Sequence, residues 1–210
     1  ISLQVVVVSL SSAILWNLLT WYLGIPSSSS HALIGGLIGA VVTGAGIQAV
    51  QWSGLGKTLI ALFTSPIIGF LVGYGLLRLV ILLSWNATPR INSLFKRSQI
   101  FTAIALALSH GANDAQKTMG IITLALVTGG VLDKFVVPLW VILLSATMIA
   151  LGTATGGWSL IRTLGAKFYK IKPMDGFASQ LASAIVILSA SLVGGPVSTT
   201  HVVSSAIMGV

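Results

Sequence analysis

Two short segments, far apart in the chain, repeat one arrangement of a proline, a run of hydroxyl residues and a histidine. The first is Pro26-Ser-Ser-Ser-Ser-His31 and the second is Pro196-Val-Ser-Thr-Thr-His201, so the two histidines lie 170 residues apart (201 − 31). Each segment precedes a Gly-rich apolar helix that is expected to begin at its histidine. The unpaired N–H groups and the positive dipole end of such a helix attract anions. The hydroxyl candidates for anion binding are Ser28, Ser29, Ser30, Ser198, Thr199 and Thr200.

The duplication decides how much weight these hydroxyls carry. A single hydroxyl run after a proline is most simply an ordinary helix N-cap. A second copy in register favours a role in ligand binding beside capping, because Gly/Pro-interrupted apolar segments at corresponding positions mark the binding site of repeat-built transporters. For His31 and His201, a structural or orienting role at the helix start is favoured over proton carriage.

A polar segment between the two copies carries the other chemistry. Residues 109–120 lie between apolar runs, and Asp114 within them is one of only three acidic residues in the chain. A carboxylate at membrane depth is a functional candidate because isolating it in lipid is costly. Asn113 offers a carbonyl oxygen, and Gly111 is expected to allow an unwound backbone. Oxygen ligands suit Na⁺ or another hard cation, so Asn113 and Asp114 are the candidate cation or metal ligands.

Lys117 has two interpretations. It follows Asp114 at the i+3 spacing of a helix, so it either neutralises that carboxylate or contacts an anion directly, together with Gln116. The other two acids, Asp133 and Asp175, lie beside loops and are expected to be solvated.

The elements that must position these residues are membrane helices. The 210 residues are 55% hydrophobic and 7% charged, with a mean hydropathy of +1.02, which excludes a soluble domain. The absence of cysteine excludes disulfides and thiolate metal sites. Long apolar runs approach the length that crosses a bilayer. They cover residues 58–85, 100–109, 135–151 and 180–193.

The positive charge is concentrated in short connections. The net charge is +8, but most cations lie beside apolar spans, which is the positive-inside pattern rather than a nucleic-acid surface. Both basic connections are therefore predicted to be cytoplasmic, and the turn around Asp133 and Lys134 to face outward. The clustered cations are Arg78, Arg90, Lys96 and Arg97, and Arg162, Lys167, Lys170 and Lys172.

The predicted fold is all-α, a polytopic membrane domain with broken or re-entrant helices in two repeats. The chain begins without methionine inside an apolar stretch, so it is interpreted as a fragment of a transporter domain. We predict a single domain, 1–210. Residues 1–45 are assigned to the end of the first repeat, whose hairpin is 26–45, and residues 55–97 to a connecting span and cytoplasmic loop. Residues 98–210 are assigned to the second repeat, whose hairpin is 180–210.

Three motifs in this order resemble the inorganic phosphate transporter (PiT) family, especially its bacterial low-affinity branch. They are Trp16-Asn-Leu-Leu-Thr-Trp-Tyr-Leu-Gly-Ile-Pro-Ser-Ser-Ser-Ser-His31, Gly111-Ala-Asn-Asp-Ala-Gln-Lys-Thr-Met-Gly120 and Pro196-Val-Ser-Thr-Thr-His201. The resemblance implies inverted repeats, each with an Asn-Asp motif that binds cations and a hydroxyl hairpin that faces phosphate. It also implies that the Asn-Asp motif of the first repeat lies before Ile1. Gln180 departs from the family, since many members carry glutamate there.

The function that this resemblance implies is symport of inorganic phosphate with Na⁺ or H⁺, or as a complex of phosphate with a divalent metal. Transport of another tetrahedral oxyanion such as sulfate is the alternative, and a passive channel is a further one. An intramembrane serine hydrolase is a distant alternative, because no nucleophile elbow motif occurs. We therefore expect a multi-pass protein of a bacterial inner membrane that is not an enzyme and uses no cofactor. Its expected partners are phosphate and lipid, and we do not expect it to bind nucleic acid. Homo-oligomerisation is left open.

Overall fold

Helices make up every regular element of the part of the chain that the structure describes. The structure is a computed structural model that describes residues 2–25, 27–167 and 171–210, without the side chains of 158–167. Pro26, Lys170 and the side chains of Arg162 and Lys167 thus lie outside the described residues. The helices are α1 (Leu3–Tyr22), α2 (Ser29–Ala45), α3 (Trp52–Leu83), α4 (Ile91–Thr128), α5 (Leu139–Lys167), α6 (Pro173–Leu192) and α7 (Thr199–Gly209), with a short 3-10 helix, Ile47–Ala49, after α2.

Four of the described helices are long and apolar enough to cross a membrane. They are α1, α3, α6 and the portion Leu139–Gly157 of α5, each at or near the ~20 residues that span a bilayer, or longer. Helix α4 is the longest, with 38 residues, but the polar segment 109–120 interrupts its apolar run. The all-α, multi-pass membrane prediction is confirmed.

The predicted unwinding at Gly111 is wrong. Helix α4 continues without interruption from Ile91 to Thr128, so Gly111 keeps its helical hydrogen bonds. Glycine permits an irregular backbone but does not impose one, and the flanking Ala, Leu and Gln residues are good helix formers.

Other boundaries also differ from the prediction. The basic connection after α3 is shorter than expected, because α4 begins at Ile91 and includes Lys96 and Arg97.

The prediction that Asp175 is solvated is wrong. Asp175 is only 9% exposed, and its carboxylate Oδ2 accepts a hydrogen bond from the backbone N–H of Lys172 at 3.1 Å, which caps the start of α6.

The helix pair α1–α2 and the helix pair α6–α7 share three helix bounds when the chain is shifted by 170 residues. Helices α1 and α6 each contain 20 residues, their ends, Tyr22 and Leu192, differ by that offset, and so do the first residues of α2 and α7, Ser29 and Thr199. The described residues of the break are 23–25, 27 and 28 in the first pair and 193–198 in the second. Gly24 and Gly194 both have a φ of 68°, the left-handed conformation that glycine adopts most readily at a helix end.

The chain divides into two compact units, of which the first contains residues 1–58 and 114–167. Helices α1 and α2 pack closely in it, because a Cβ atom on Gly36 would lie 2.7 Å from the backbone oxygen of Ser9. The indole Nε1 of Trp21 donates a hydrogen bond to the carbonyl of Gly156 at 3.4 Å, which joins α1 to α5.

The second unit contains residues 59–113 and 168–210. Helix α3 lies against α7 so closely that a Cβ atom on Gly73 would lie 2.7 Å from the backbone oxygen of Ala206. Small residues permit this approach of two backbones, as is common in membrane proteins. The apolar core of the unit consists of Val186, Ile187, Val197 and Val202.

Candidate functional site

The start of α2 carries the first hydroxyl run. Ser28 is its N-cap, with the side-chain oxygen accepting a hydrogen bond from the backbone N–H of His31 at 3.3 Å. The same oxygen lies 2.9 Å from Nδ1 of His31. The helix therefore begins two residues before the predicted histidine, and His31 contacts its cap. Ser30 is buried, whereas Ser29 is exposed.

Lys117 lies beside this helix start. Its ammonium group donates to Oγ of Ser30 at 2.6 Å and forms an ion pair with Oδ1 of Asp114 at 3.2 Å. The side chains of Lys117 and Asp114 are 17% and 21% exposed. In the first unit, the ammonium group of Lys117 therefore contacts both the carboxylate of Asp114 and the hydroxyl of Ser30, which lies in the first turn of α2. Neutralisation of Asp114 and direct contact with an anion both remain open roles for Lys117, because the ion pair neutralises the carboxylate and also holds the ammonium group at the start of α2.

The start of α7 repeats the capping arrangement. Ser198 is the N-cap, and its side-chain oxygen accepts a hydrogen bond from the N–H of His201 at 3.3 Å, the same distance as in the first copy. Ser198 and Thr199 are buried, at 1% and 4% exposed. Thr200 is half-buried. Such a first turn presents N–H donors and hydroxyls together, which is the composition of an anion-binding helix start.

Asn113 contacts the break that precedes α7. Its side chain is 2% exposed, and its amide nitrogen donates to the backbone oxygen of Val197 at 3.4 Å. This assignment makes the amide oxygen Oδ1 the acceptor of the side chain, which suits a hard cation. Sequence reasoning did not predict that Asn113 bonds to the Val197 carbonyl. The signal was the break itself, because irregular backbone at membrane depth leaves carbonyl groups that need hydrogen-bond partners.

The spacing along α4 explains which polar side chains share a face. Asn113 and Lys117 are four residues apart, and Asp114 and Lys117 are three apart, so Lys117 neighbours both on the helix surface, while the consecutive residues Asn113 and Asp114 point about 100° apart. Gln116 projects elsewhere and is exposed. No cluster of three or more His, Cys, Asp or Glu occurs among the described residues. The oxygens that could serve a hard cation are the carboxylate of Asp114 in the first unit and the side-chain amide oxygen of Asn113 in the second unit.

Comparison with known proteins identifies the family of this chain. The sequence profile of the phosphate transporter family matches residues 1–210. The chain belongs to the phosphate transporter family. This family is one of transporters rather than enzymes, and membership confirms the resemblance that the three motifs indicated.

Curated relatives carry matching descriptions, and a solved structure shares the fold. A probable low-affinity inorganic phosphate transporter of Rhizobium meliloti is 47% identical over 212 residues, covering 99% of this chain and 63% of that protein. A Bacillus subtilis protein of the same description is 46% identical over 98% of this chain and 62% of its own length. The chain thus spans less than two thirds of these relatives. A solved structure described as the sodium-dependent phosphate transporter shares the fold, with a TM-score of 0.89 at 23% identity over 98% of this chain and 69% of that one.

Proposed function

We propose that this chain is the part of a secondary transporter that moves inorganic phosphate across the membrane together with Na⁺ or H⁺. The duplicated helix start carries the proposal, since Ser28 and Ser198 cap α2 and α7 with the same geometry after the same left-handed glycine. Membership of the phosphate transporter family and the descriptions of the bacterial relatives support it. The proposed location is a bacterial inner membrane.

The hydroxyl residues serve as phosphate donors in this proposal. Each helix start offers its first-turn N–H groups and its hydroxyls, and an oxyanion accepts hydrogen bonds from both. These hydroxyl residues are Ser28, Ser29, Ser30, Ser198, Thr199 and Thr200. Lys117 supplies positive charge beside Ser30, and Gln116 supplies an amide donor. His31 orients the first cap through its contact with Ser28, and we assign the equivalent role to His201.

Cation coupling follows from the charge of phosphate. Moving one net negative charge into a cell against an inside-negative potential costs about 2.3 kcal/mol per 100 mV. Cotransported cations offset this cost, and a third monovalent cation would make a complex with dianionic phosphate positive. Asn113 and Asp114 are the proposed ligands, and the sodium dependence named for the structural neighbour favours Na⁺. Uptake as a neutral complex of phosphate with a divalent metal would satisfy the same charge requirement.

Uptake into liposomes tests the function. We expect the full-length protein to accumulate labelled phosphate when an inward Na⁺ or H⁺ gradient is imposed, and Asp114→Asn to abolish that accumulation. Lys57→Gln is the matched control, because it removes one exposed charge of the first unit that lies on α3 rather than on α4. Uptake that is independent of both gradients would contradict the symport mechanism, and equilibration without accumulation would indicate a channel.

Selectivity needs a separate measurement, because hydroxyl and N–H donors recognise any tetrahedral oxyanion. Unlabelled phosphate and unlabelled sulfate are each added to the uptake assay at the same concentrations. Competition by phosphate alone is the expected result. Equal competition by sulfate would favour the broader oxyanion transporter.

A further inference from the structure

A cavity in the second unit opens beside the beginnings of α4 and α6, outside the residues assigned to phosphate or cations. Its volume is about 560 Å³, and it is lined by α4, α6 and α7. The amide nitrogen of Gln99, in the third turn of α4, donates to the carbonyl of Pro173, in the first turn of α6, at 2.7 Å. This hydrogen bond holds the N-terminal portions of the two helices together. The cavity therefore runs along both helices from their N-terminal ends.

Its mouth is basic. Lys96 is exposed and is the one charged residue among the described lining residues. The segment 59–113 of the same unit contains four cations, Arg78, Arg90, Lys96 and Arg97, and no acidic residue. The other segment of the unit, residues 168–210, contains one acid, Asp175, which is 9% exposed and accepts the hydrogen bond that caps α6. The four cations therefore outnumber this single, largely buried acid.

The interior becomes apolar with depth. Leu106 lies ten residues beyond Lys96 on α4, which is about 15 Å along a helix, and it lines the cavity with Val203 and Ile207. The hydroxyls of Ser179 and Ser183 also lie on the wall, but they donate to carbonyl groups of α6 itself, at 3.2 Å to Gly176 and 2.7 Å to Ser179. The deep wall consequently offers few donors to an anion.

Gln180 lies on the wall between these two regions. Its Oε1 accepts a hydrogen bond from Thr102 at 2.6 Å, so the amide group is fixed in place with its nitrogen as a donor. A neutral amide donor at intermediate depth suits an ester carbonyl better than a free anion.

We propose that this cavity binds one anionic phospholipid, with its phosphate at Lys96, an ester carbonyl at Gln180 and an acyl chain along Leu106, Val203 and Ile207. Basic pockets between membrane helices are suited to acidic lipid head groups, and the basic connection that precedes α4 is predicted to be cytoplasmic. Free inorganic phosphate shares the charge of the headgroup, but it would leave the apolar depth of the cavity without a matching ligand.

Native mass spectrometry of the full-length protein in detergent, titrated with phosphatidylglycerol or phosphatidylcholine, tests this site. We expect one retained phosphatidylglycerol, bound more tightly than phosphatidylcholine. Lys96→Gln should weaken phosphatidylglycerol binding about fivefold, as expected for one cation at a membrane surface. Arg97→Gln is the matched control, because it removes the neighbouring charge on the same helix without altering the cavity lining. Its affinity should stay unchanged.

A second pair of variants tests the apolar depth. Val203→Phe adds volume where the acyl chain is proposed to lie and should weaken the binding of both lipids, whereas Ile104→Phe, at an exposed position outside the cavity, should not. Equal losses in Lys96→Gln and Arg97→Gln would overturn the proposal in favour of diffuse surface charge. Displacement of the lipid by millimolar inorganic phosphate would assign the cavity to a free anion and would also overturn it.

Discussion

At the scale of single residues, the two capping serines combine a structural and a proposed chemical role. Ser28 and Ser198 each accept a hydrogen bond from the N–H of the histidine three residues later, so each satisfies one unpaired donor of its helix. Capping alone would be equally well served by aspartate. Phosphate binding would not, because a carboxylate repels the ligand, and this difference separates the two roles.

Ser198→Asp keeps a capping acceptor, but Ser198 is 1% exposed, so the buried carboxylate should lower the unfolding temperature. Phosphate uptake, compared per amount of folded protein, should fall by at least about a hundredfold, since like charges placed together cost several kcal/mol. Thermal unfolding in detergent and uptake into liposomes measure the two effects. Ser2→Asp is the matched control, because Ser2 caps α1 through the N–H of Val5 and lies outside the hydroxyl runs. Normal uptake by Ser198→Asp would remove Ser198 from the phosphate site.

The ion pair between Asp114 and Lys117 should behave as a coupled unit. Removing either partner leaves a largely buried charge with less compensation, so Asp114→Asn and Lys117→Met should each lower the unfolding temperature. The double variant should be less destabilised than the sum of the two, by about 0.5–3 kcal/mol. Combining Asp114→Asn with Lys57→Met, which removes an exposed lysine of α3, should give additive effects. Additive effects in the first pair would show that the ion pair contributes nothing to stability.

At the scale of elements, the sequence predicted the helices and their breaks better than it predicted contacts. Three of the four predicted apolar runs fall on described candidate spans, whereas the run 100–109 lies within α4 and the span α1 was not among the runs. The 170-residue offset agrees with the matching left-handed glycines, Gly24 and Gly194, because such a glycine has a strong local cause at a helix end. Continuity of α4 through Gly111 was missed, since one glycine is compatible with either backbone state. The bond from Lys117 to Ser30 joins residues 87 positions apart, and no local pattern encodes such a contact. Burial of Asp175 was missed because its capping role depends on where α6 begins.

The packing of α3 against α7 gives a prediction for two neighbouring glycines. Gly73→Ala would place a Cβ atom 2.7 Å from the backbone oxygen of Ala206, and it should destabilise the protein by about 1–3 kcal/mol. Gly75→Ala on the same helix meets nothing within 4 Å, so it should be neutral or stabilising. Unfolding temperatures of the two full-length variants measure the difference. Equal stability of the two would show that the helices do not approach as closely as described.

At the scale of the whole molecule, the distribution of charge predicts the orientation in the membrane. Arg90, Lys96 and Arg97 surround the start of α4, and the next connection, residues 129–138, carries one acid and one base. The positive-inside rule therefore places the first connection in the cytoplasm and the second outside. The chain contains no cysteine, so any introduced cysteine is a unique label.

Single cysteines in the full-length protein test this orientation, provided that its other segments are also free of cysteine. In intact cells, a membrane-impermeant maleimide should label Val131→Cys and leave Asn92→Cys unlabelled, because Val131 is exposed in the outer connection and Asn92 is exposed near the cytoplasmic end of α4. Both should react after permeabilisation. Labelling of Asn92→Cys alone in intact cells would reverse the predicted topology.

The equal lengths of α1 and α6 have a consequence for which sequence changes the two hairpins can accept. One inserted residue in either helix would rotate everything beyond it by about 100° and advance it by about 1.5 Å, which would turn the following break away from its neighbours. Most paired side chains differ between the two hairpins, yet the offset between Gly24 and Gly194 is the same as that between Gly39 and Gly209. The shared geometry thus tolerates different side chains along the helices, whereas a single added or deleted residue in one hairpin would end it.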